Sequence, residues 1–196
     1  AQKLPTLVLT SGSANQTVNV NAAISTIKYT ASGSAASIKV DGLPNGVTAT
    51  ISGLVATISG KPSEVGTFNF SVTATNNESK TTVLSGKIVV NAVAPVITKP
   101  ASTRISATQG VAITPITFTS DVAATFSVTG LPAGLSANTA ADGKSVTISG
   151  TPTGYGTSNF TVSATAYGKT SSVSGSVTVA QKLPTLVLTS GSANQT

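Results

Sequence analysis

The chain has 196 residues, a formal net charge of +6 and a charged fraction of 8%, against roughly 25% in a typical globular domain. It contains no His and no Cys, which removes the usual catalytic bases, the thiolate nucleophiles and disulfide bridges. Its basic residues are spread singly along the chain, which disfavours nucleic-acid binding because that function needs a basic cluster. No apolar run is long enough to predict a membrane-spanning helix.

The first 17 residues of the sequence recur as its last 17 residues. AQKLPTLVLTSGSANQT occupies residues 1–17 and again residues 180–196, without a single difference. Such identity indicates a tandem array whose copies have not drifted apart. We therefore expect the chain to be an internal piece of a longer covalent array.

A shorter, diverged repeat divides the interval between the two copies. Residues 42–46 (GLPNG) recur at 130–134 (GLPAG), and residues 58–62 (ISGKP) recur at 148–152 (ISGTP). The predicted domains are module 1 at residues 1–92, module 2 at residues 93–180 and, at residues 181–196, the first strand of the next module, a copy of module 1.

The pattern of each module predicts short β-strands separated by Gly, Pro, Asn and Ser, and no segment has the pattern of a helix. Residues 68–75 alternate apolar and polar side chains, a period of two that predicts one buried and one exposed face. The strands of module 1 are predicted at residues 6–10 and 17–20, as a split first strand, and at 24–30, 35–40, 47–51, 54–59, 68–75 and 82–91. Seven or eight strands in about 90 residues favour an all-β fold of tandem Ig-like β-sandwiches.

Three stretches of module 2 carry a family resemblance: GLPAGL at residues 130–135, VTISGTP at 146–152 and NFTVSATA at 159–166. Together with the Gly-Tyr-Gly-Thr at residues 154–157 they closely resemble the putative-Ig, cadherin-like repeats of bacterial surface proteins. Module 1 matches with more substitutions. The resemblance implies Ig-like sandwiches of the kind found in adhesins, in stalks and in modules attached to enzymes.

The two repeated motifs have a structural chemistry of their own. In Gly-Leu-Pro-x-Gly the proline fixes φ and the glycines supply backbone freedom, so we predict a turn whose Leu closes the end of the sandwich. In Ile-Ser-Gly-x-Pro the proline cannot donate to a sheet ladder and ends the strand.

No catalytic, cofactor-binding or metal-binding residue is predicted, and the chain is not expected to be an enzyme. Its acids occur singly and are interpreted as solubilising loop residues: Asp41, Glu64, Glu78, Asp121 and Asp142. Cadherin-like repeats often bind calcium, but a calcium site needs 6–8 oxygen ligands and no acidic cluster is present. Asp142, followed by Gly143, instead predicts a hairpin turn.

Three further kinds of site are weighed against simpler interpretations. A Lys–Asn isopeptide bond would use Lys28, whereas strand alternation puts this lysine on the solvent face. A glycan-binding platform would use exposed aromatics, but Trp is absent and the tyrosines are scattered at positions 29, 155 and 167. Asn-x-Ser/Thr triplets are expected by chance in so Ser- and Thr-rich a chain; they begin at Asn15, Asn69, Asn77, Asn159 and Asn194.

These observations favour a structural repeat of an extracellular, cell-surface bacterial adhesin or filament, forming a semi-rigid stalk used in attachment, biofilm formation or gliding motility. The expected partners are neighbouring copies of the same repeat. The linker between the modules is short and contains proline, unlike a flexible Gly/Ser spacer, so neighbouring modules are expected to touch. Two alternatives stay open: a module that binds a glycan or protein through loops 42–46 and 130–134, and a fibre subunit polymerised by donor strands.

Overall fold

The computed structural model describes residues 3–184, which form sixteen β-strands and no helix. The chain divides into two compact units between Val93 and Ala94, here called unit 1 and unit 2. This confirms the all-β, tandem Ig-like architecture. Most of the predicted third segment, residues 181–196, lies outside the described residues, so the first strand of a third module stays a prediction.

Unit 1 is a sandwich of two four-stranded sheets. Its strands are β1 Thr6–Ser11, β2 Asn15–Asn19, β3 Ile27–Ser32, β4 Ala35–Asp41, β5 Val47–Ser52, β6 Val55–Gly60, β7 Gly66–Asn76 and β8 Thr81–Asn91. One sheet has the order β1-β3-β6-β5 and the other has the order β2-β8-β7-β4. The predicted split of the first strand is confirmed, because β1 and β2 follow each other along the chain but join different sheets.

The strand predicted at residues 24–30 starts three residues later, at Ile27. Ile24 is nevertheless 6% exposed, and its backbone N donates to the carbonyl O of Gly60 at 3.0 Å. Residues 20–26 carry the chain from the sheet of β2 to the sheet of β3, so Ile24 enters the core from a crossing segment. An apolar residue in a crossing segment resembles the start of a strand in sequence.

Unit 2 repeats this plan. Its strands are β9 Ile97–Thr98, β10 Arg104–Thr108, β11 Ile116–Ser120, β12 Thr125–Thr129, β13 Leu135–Thr139, β14 Ser145–Gly150, β15 Gly156–Ala166 and β16 Lys169–Ala180. The sheets have the orders β13-β14-β11-β9 and β10-β16-β15-β12. The first strand is again split between the sheets, as β9 and β10.

An aromatic pair occupies the centre of each core. In unit 1 the rings of Tyr29 and Phe70 meet edge to face, with centroids 6.5 Å apart. In unit 2 Phe118 and Phe160 repeat the arrangement at 6.2 Å. These pairs are packed among Val, Ile and Ala, and the cores contain neither the Trp nor the disulfide that mark antibody domains.

The hydroxyl of Tyr29 is a buried polar group in the otherwise apolar core of unit 1. The side chain is 1% exposed and its Oη has no hydrogen-bond partner among the described residues. Burial raises the pKa of the Tyr29 phenol above its ordinary value of 10.0. Phe118 holds the corresponding place in unit 2 without a polar atom.

We therefore expect Tyr29→Phe to stabilise unit 1 by about 1 kcal/mol, because it removes an unsatisfied buried hydroxyl. The same substitution should also reduce the loss of stability that unit 1 shows at alkaline pH. Since the folded-state pKa is raised, the unfolded state loses its proton first, and the stability of unit 1 falls as pH rises above about 10. Denaturant titrations at pH 7 and pH 11 measure both effects, with the exposed Tyr155→Phe as the control. An unchanged or lower stability at pH 7 would contradict the prediction.

Candidate functional site

In each unit the second half of the split first strand lies beside the last strand and runs in the same direction. In unit 1, β2 pairs with the end of β8 in parallel, in five consecutive steps from Asn15 with Lys87 to Asn19 with Asn91. Two hydrogen bonds extend the ladder, from Lys87 N to Ala14 O at 2.8 Å and from Val20 N to Asn91 O at 3.0 Å. The second half of the split first strand is thus bonded directly to the strand that leaves the unit.

Unit 2 has the same arrangement. Its strand β10 pairs in parallel with the end of β16, from Arg104 with Ser176 to Thr108 with Ala180. The flanking hydrogen bonds recur as well: Ser176 N donates to Thr103 O at 3.0 Å, and Gln109 N donates to Ala180 O at 2.9 Å. Two units with diverged sequences therefore keep the same contact between their terminal strands.

The segment at the start of unit 1, residues 3–17, is held by hydrogen bonds to three other parts of the unit. The carbonyl O of Lys3 accepts hydrogen bonds from Ser34 Oγ at 2.8 Å and Asn76 Nδ2 at 3.3 Å. Gln16 makes a two-way contact with Ser25, donating from Nε2 to the carbonyl O at 2.7 Å and accepting at Oε1 from the backbone N at 2.8 Å. These bonds fix the segment in addition to its strand pairing.

The two sequence motifs meet in space and form a single structure. In unit 2 the loop that follows β14 donates twice to the Gly-Leu-Pro-x-Gly turn, from Thr151 N to Gly134 O at 3.0 Å and from Thr153 N to Ala133 O at 2.9 Å. Unit 1 repeats both bonds, from Lys61 N to Gly46 O and from Ser63 N to Asn45 O, each at 2.9 Å. Both motifs are therefore parts of one clasp that closes one end of each sandwich.

The motif leucines lie at the edge of the core. Leu131 is half-buried and packs against the core of unit 2. Leu43 is half-buried in unit 1, and the next residue of that turn, Pro44, is buried.

The acidic side chains take part in hydrogen bonds and, at Asp41, in an ion pair. Three of them accept from backbone N atoms: Glu64 Oε1 from Asn45 at 2.9 Å, Asp121 Oδ1 from Val96 at 2.7 Å, and Asp142 Oδ1 from Lys144 at 2.9 Å. Glu78 accepts from Asn76 Nδ2 at 3.0 Å, and Asp41 pairs with Lys39 at 2.8 Å on an exposed surface. The carboxylates thus organise loops and turns.

The predicted hairpin at Asp142 is confirmed. It joins β13 to β14, and Gly143 N donates to Ala140 O at 2.9 Å across the turn. Gly143 has a φ of 66°, a conformation that favours glycine. Within residues 3–184, no group of three or more acidic side chains is placed to hold a metal ion.

Lys28 lies on the exposed face of β3, as strand alternation predicts. An isopeptide bond requires a buried lysine facing an amide, so this lysine does not occupy such a site. The tyrosines also fail to form a platform. Tyr29 is buried in unit 1, whereas Tyr155 and Tyr167 lie at opposite ends of the eleven-residue strand β15.

The asparagines of the Asn-x-Ser/Thr triplets have exposed positions in the described part of the chain. Asn15, Asn69 and Asn159 lie on strands, and Asn77 lies in the turn between β7 and β8. Asn194 falls outside the described residues. Position alone therefore does not exclude modification at the four described triplets.

Sequence reasoning missed a glycine in the last strand of each unit. Gly86 lies opposite Phe70, and Gly175 lies opposite Phe160, in the antiparallel pairing of the two longest strands. A Cβ at either position would overlap the phenylalanine ring and a backbone carbonyl oxygen. A lone glycine inside a long strand signals such a close approach, and this signal is present in both repeats.

Comparison with solved structures gives low identities. The titin domains z1z2, solved in complex with telethonin, match with a TM-score of 0.49 and 12% identity over 90% of this chain and 98% of that chain. The endo-fucoidan hydrolase MfFcnA4 of glycoside hydrolase family 107 matches with a TM-score of 0.47 and 17% identity, over 92% of this chain but only 29% of that chain. None of the curated proteins compared with the chain matches it. No helix in the described part of the chain has the length and apolar character needed to cross a membrane.

The family of the chain is shown by a match to a protein-family model. The model described as "Putative Ig domain" matches twice, at residues 5–91 and at residues 87–180. Each match contains the two sheets, the clasp and the parallel terminal strands of one unit. The chain therefore belongs to the Putative Ig domain family and carries two of its domains in tandem.

Proposed function

We propose that the chain is a non-catalytic, load-bearing repeat of an extracellular bacterial surface adhesin or filament, in which successive units form a semi-rigid stalk. Its partners are neighbouring copies of the repeat. The letter-for-letter recurrence of residues 1–17 and the short linker Ala92-Val93-Ala94-Pro95 support a series of closely spaced units. Attachment to surfaces, biofilm formation and gliding motility are the settings that need such a stalk.

The observation that carries this proposal is the parallel pairing of β2 with β8 and of β10 with β16. Tension applied along the chain reaches β2 through β1, which is paired with β3, and pulls β2 backwards and β8 forwards, parallel to their own axes. The hydrogen bonds between them lie across the pull and are loaded together, so none can break far ahead of the others. A ladder peeled from one end would instead lose its bonds one at a time.

Single-molecule force spectroscopy tests the role directly. The chain lacks cysteine, so pairs of introduced cysteines can define the points of attachment. We expect unit 1 pulled through Asn15→Cys and Asn91→Cys to unfold at a several-fold higher force than unit 1 pulled through Thr67→Cys and Asn91→Cys. The first pair shears the β2–β8 ladder, whereas the second peels β7 from β8 from their paired ends. Forced unfolding is governed by the unfolding rate, so the difference should appear even if both variants melt at the same temperature. Equal forces in the two geometries would contradict the load-bearing role.

A binding role through the loops is the second candidate, and Tyr155 is the observation that favours it. This side chain is 65% exposed between two glycines, directly after the Pro152 loop of the unit 2 clasp. Exposed aromatic rings are frequent contacts in binding surfaces. If Tyr155→Ala abolishes attachment of the parent protein while the melting temperature stays the same, the binding role is favoured. If only removal of whole units shortens the reach of the protein, the stalk role is favoured.

A further inference from the structure

The turn of the unit 1 clasp contains Asn45-Gly46, which is the one Asn-Gly pair in the sequence. Both residues are exposed. Gly46 has a φ of 84°, and a Cβ there would overlap the carbonyl oxygen of Lys61, so the clasp requires glycine at this position. Unit 2 has the same requirement at Gly134 but places Ala133 before it. The glycine of the clasp therefore follows an asparagine in unit 1 only.

An asparagine side chain can react with the backbone N of the residue that follows it. Here the N of Gly46 would attack Cγ of Asn45, closing a five-membered succinimide ring, while the proton of that N and the side-chain NH2 leave together as ammonia. Water then opens the ring at either carbonyl. Opening at Cγ leaves an aspartate, and opening at the backbone carbonyl leaves an isoaspartate, whose main chain runs through Cβ and Cγ. Glycine favours the attack because it has no side chain to obstruct its N.

The two reacting groups are free in the folded turn. The turn is closed by the hydrogen bond from Val47 N to Pro44 O at 3.1 Å, which leaves the peptide between Asn45 and Gly46 at its tip. In the part of the chain that the structure describes, neither the N of Gly46 nor the side-chain amide of Asn45 takes part in a hydrogen bond. The folded state therefore presents an unpaired nucleophile next to an unpaired amide.

We propose that Asn45 is a site of spontaneous deamidation in the folded protein, and that the reaction opens the clasp of unit 1 as the protein ages. The substrate is the chain itself, and water is the co-reactant. Unit 2 is exempt at the corresponding position because Ala133 has no amide. The reaction is a property of the turn and does not depend on the load-bearing role.

The isoaspartate product does not fit the clasp. The carbonyl O of Asn45 accepts from Ser63 N at 2.9 Å and from Ser63 Oγ at 3.3 Å. In isoaspartate this carbonyl becomes part of a free carboxylate, and the main chain gains one carbon before Gly46. The clasp has no room for it, because a Cβ on Gly46 would overlap the Lys61 carbonyl oxygen and a Cβ on Gly60 would overlap the Gly46 carbonyl oxygen. The added carbon should therefore break hydrogen bonds of the clasp.

Both products also add a negative charge close to an existing one. The backbone N of Asn45 donates to Glu64 Oε1 at 2.9 Å. A carboxylate at position 45 would repel the carboxylate of Glu64, because like charges at short range raise the energy of the folded state. Each event lowers the net charge of the chain by one, from +6 to +5.

Storage of the folded full chain at mildly alkaline pH tests the site. We expect cation-exchange chromatography to resolve a growing fraction of lower charge, and peptide mapping to locate a gain of about 1 Da at Asn45. The rate should rise with pH because the attacking N must lose its proton. Asn77 is the internal control, since the N of the following Glu78 donates to Asn76 Oδ1 at 3.0 Å, and its modified fraction should be severalfold smaller. A modified fraction at Asn45 no larger than that at Asn77, or modification confined to chains unfolded in denaturant, would overturn the proposal.

Hydrogen exchange tests the effect on the clasp. The lower-charge fraction should show severalfold faster amide exchange in residues 44–63 than the fresh chain, with unchanged exchange in residues 132–153 of unit 2. Asn45→Ala is the matched variant, because Ala133 holds this place in the other clasp, and it should keep the exchange of the fresh chain throughout storage. Unchanged exchange in the modified fraction, or an equal change in stored Asn45→Ala, would refute the opening of the clasp. Neither experiment applies force, so a failure here is separate from a failure of the stalk role.

Discussion

Gly134→Ala is expected to destabilise unit 2 by about 3 kcal/mol. The residue has a φ of 90°, and an L-residue in the left-handed region costs about 1–2 kcal/mol. A Cβ would also overlap the carbonyl oxygen of Thr151, which belongs to the other half of the clasp. Because that oxygen is part of the backbone, it cannot move aside as a flexible side chain would, and overpacking adds about 1–3 kcal/mol.

Gly110→Ala is the matched control within the same unit. Gly110 has a φ of 74°, but a Cβ there would meet nothing within 4 Å. Its substitution should cost only the backbone term, about 1–2 kcal/mol. Chemical denaturation of both variants separates the two contributions. If the two substitutions lower the free energy of unfolding of unit 2 equally, the close approach inside the clasp does not contribute to its stability, and the motif acts only as a turn.

Phe160→Ala should cost unit 2 about 3–5 kcal/mol, the range for removing a buried aromatic side chain. The ring is 1% exposed, meets Phe118 edge to face and lies over Gly175. Since a domain is stable by only about 5–15 kcal/mol, we expect the melting transition of unit 2 to fall well below that of unit 1. Differential scanning calorimetry of the tandem chain should then resolve two transitions.

Gly175, which lies opposite Phe160, allows the contribution of the ring contact to be measured directly. Gly175→Ala alone should destabilise unit 2 because the added methyl group overlaps the Phe160 ring and the Thr103 carbonyl oxygen. In the Phe160→Ala background the same change should cost less, because the ring is no longer there. A double-mutant cycle measures this coupling. If the effects of the two substitutions are strictly additive, the ring and the glycine do not interact. As a control, Tyr155→Ala changes an exposed side chain and should alter the stability of unit 2 by less than about 0.5 kcal/mol.

The strands were predictable because their signals are local. Alternation in residues 68–75, together with glycine and proline between the strands, placed β7 and its neighbours to within a few residues. The start of β3 was wrong because Ile24 is buried in a crossing segment, and burial there follows from the path of the chain between sheets. Tyr29 was not recognised as a core residue, since its hydroxyl suggests an exposed tip.

The long-range contacts were not predictable from one sequence. Gly130–Leu131–Pro132–Ala133–Gly134 and the loop at Thr151 were identified as separate motifs, but their hydrogen bonds join residues nearly twenty positions apart. The carboxylate of Asp121 accepts from Val96, twenty-five positions away. Sequence spacing predicts the local conformation of such residues, whereas their partners depend on how the sheets stack.

The terminal strand pairs also govern when a unit can fold. Gln16 pairs with Ile88, and Ile105 pairs with Val177, each across 72 positions of sequence. Contacts between residues so distant slow folding, because the loop between them must close before they contribute any energy. During synthesis, unit 1 therefore cannot complete its fold until β8 has emerged. Until then β2 and β7 lack the strand that lies between them in the sheet.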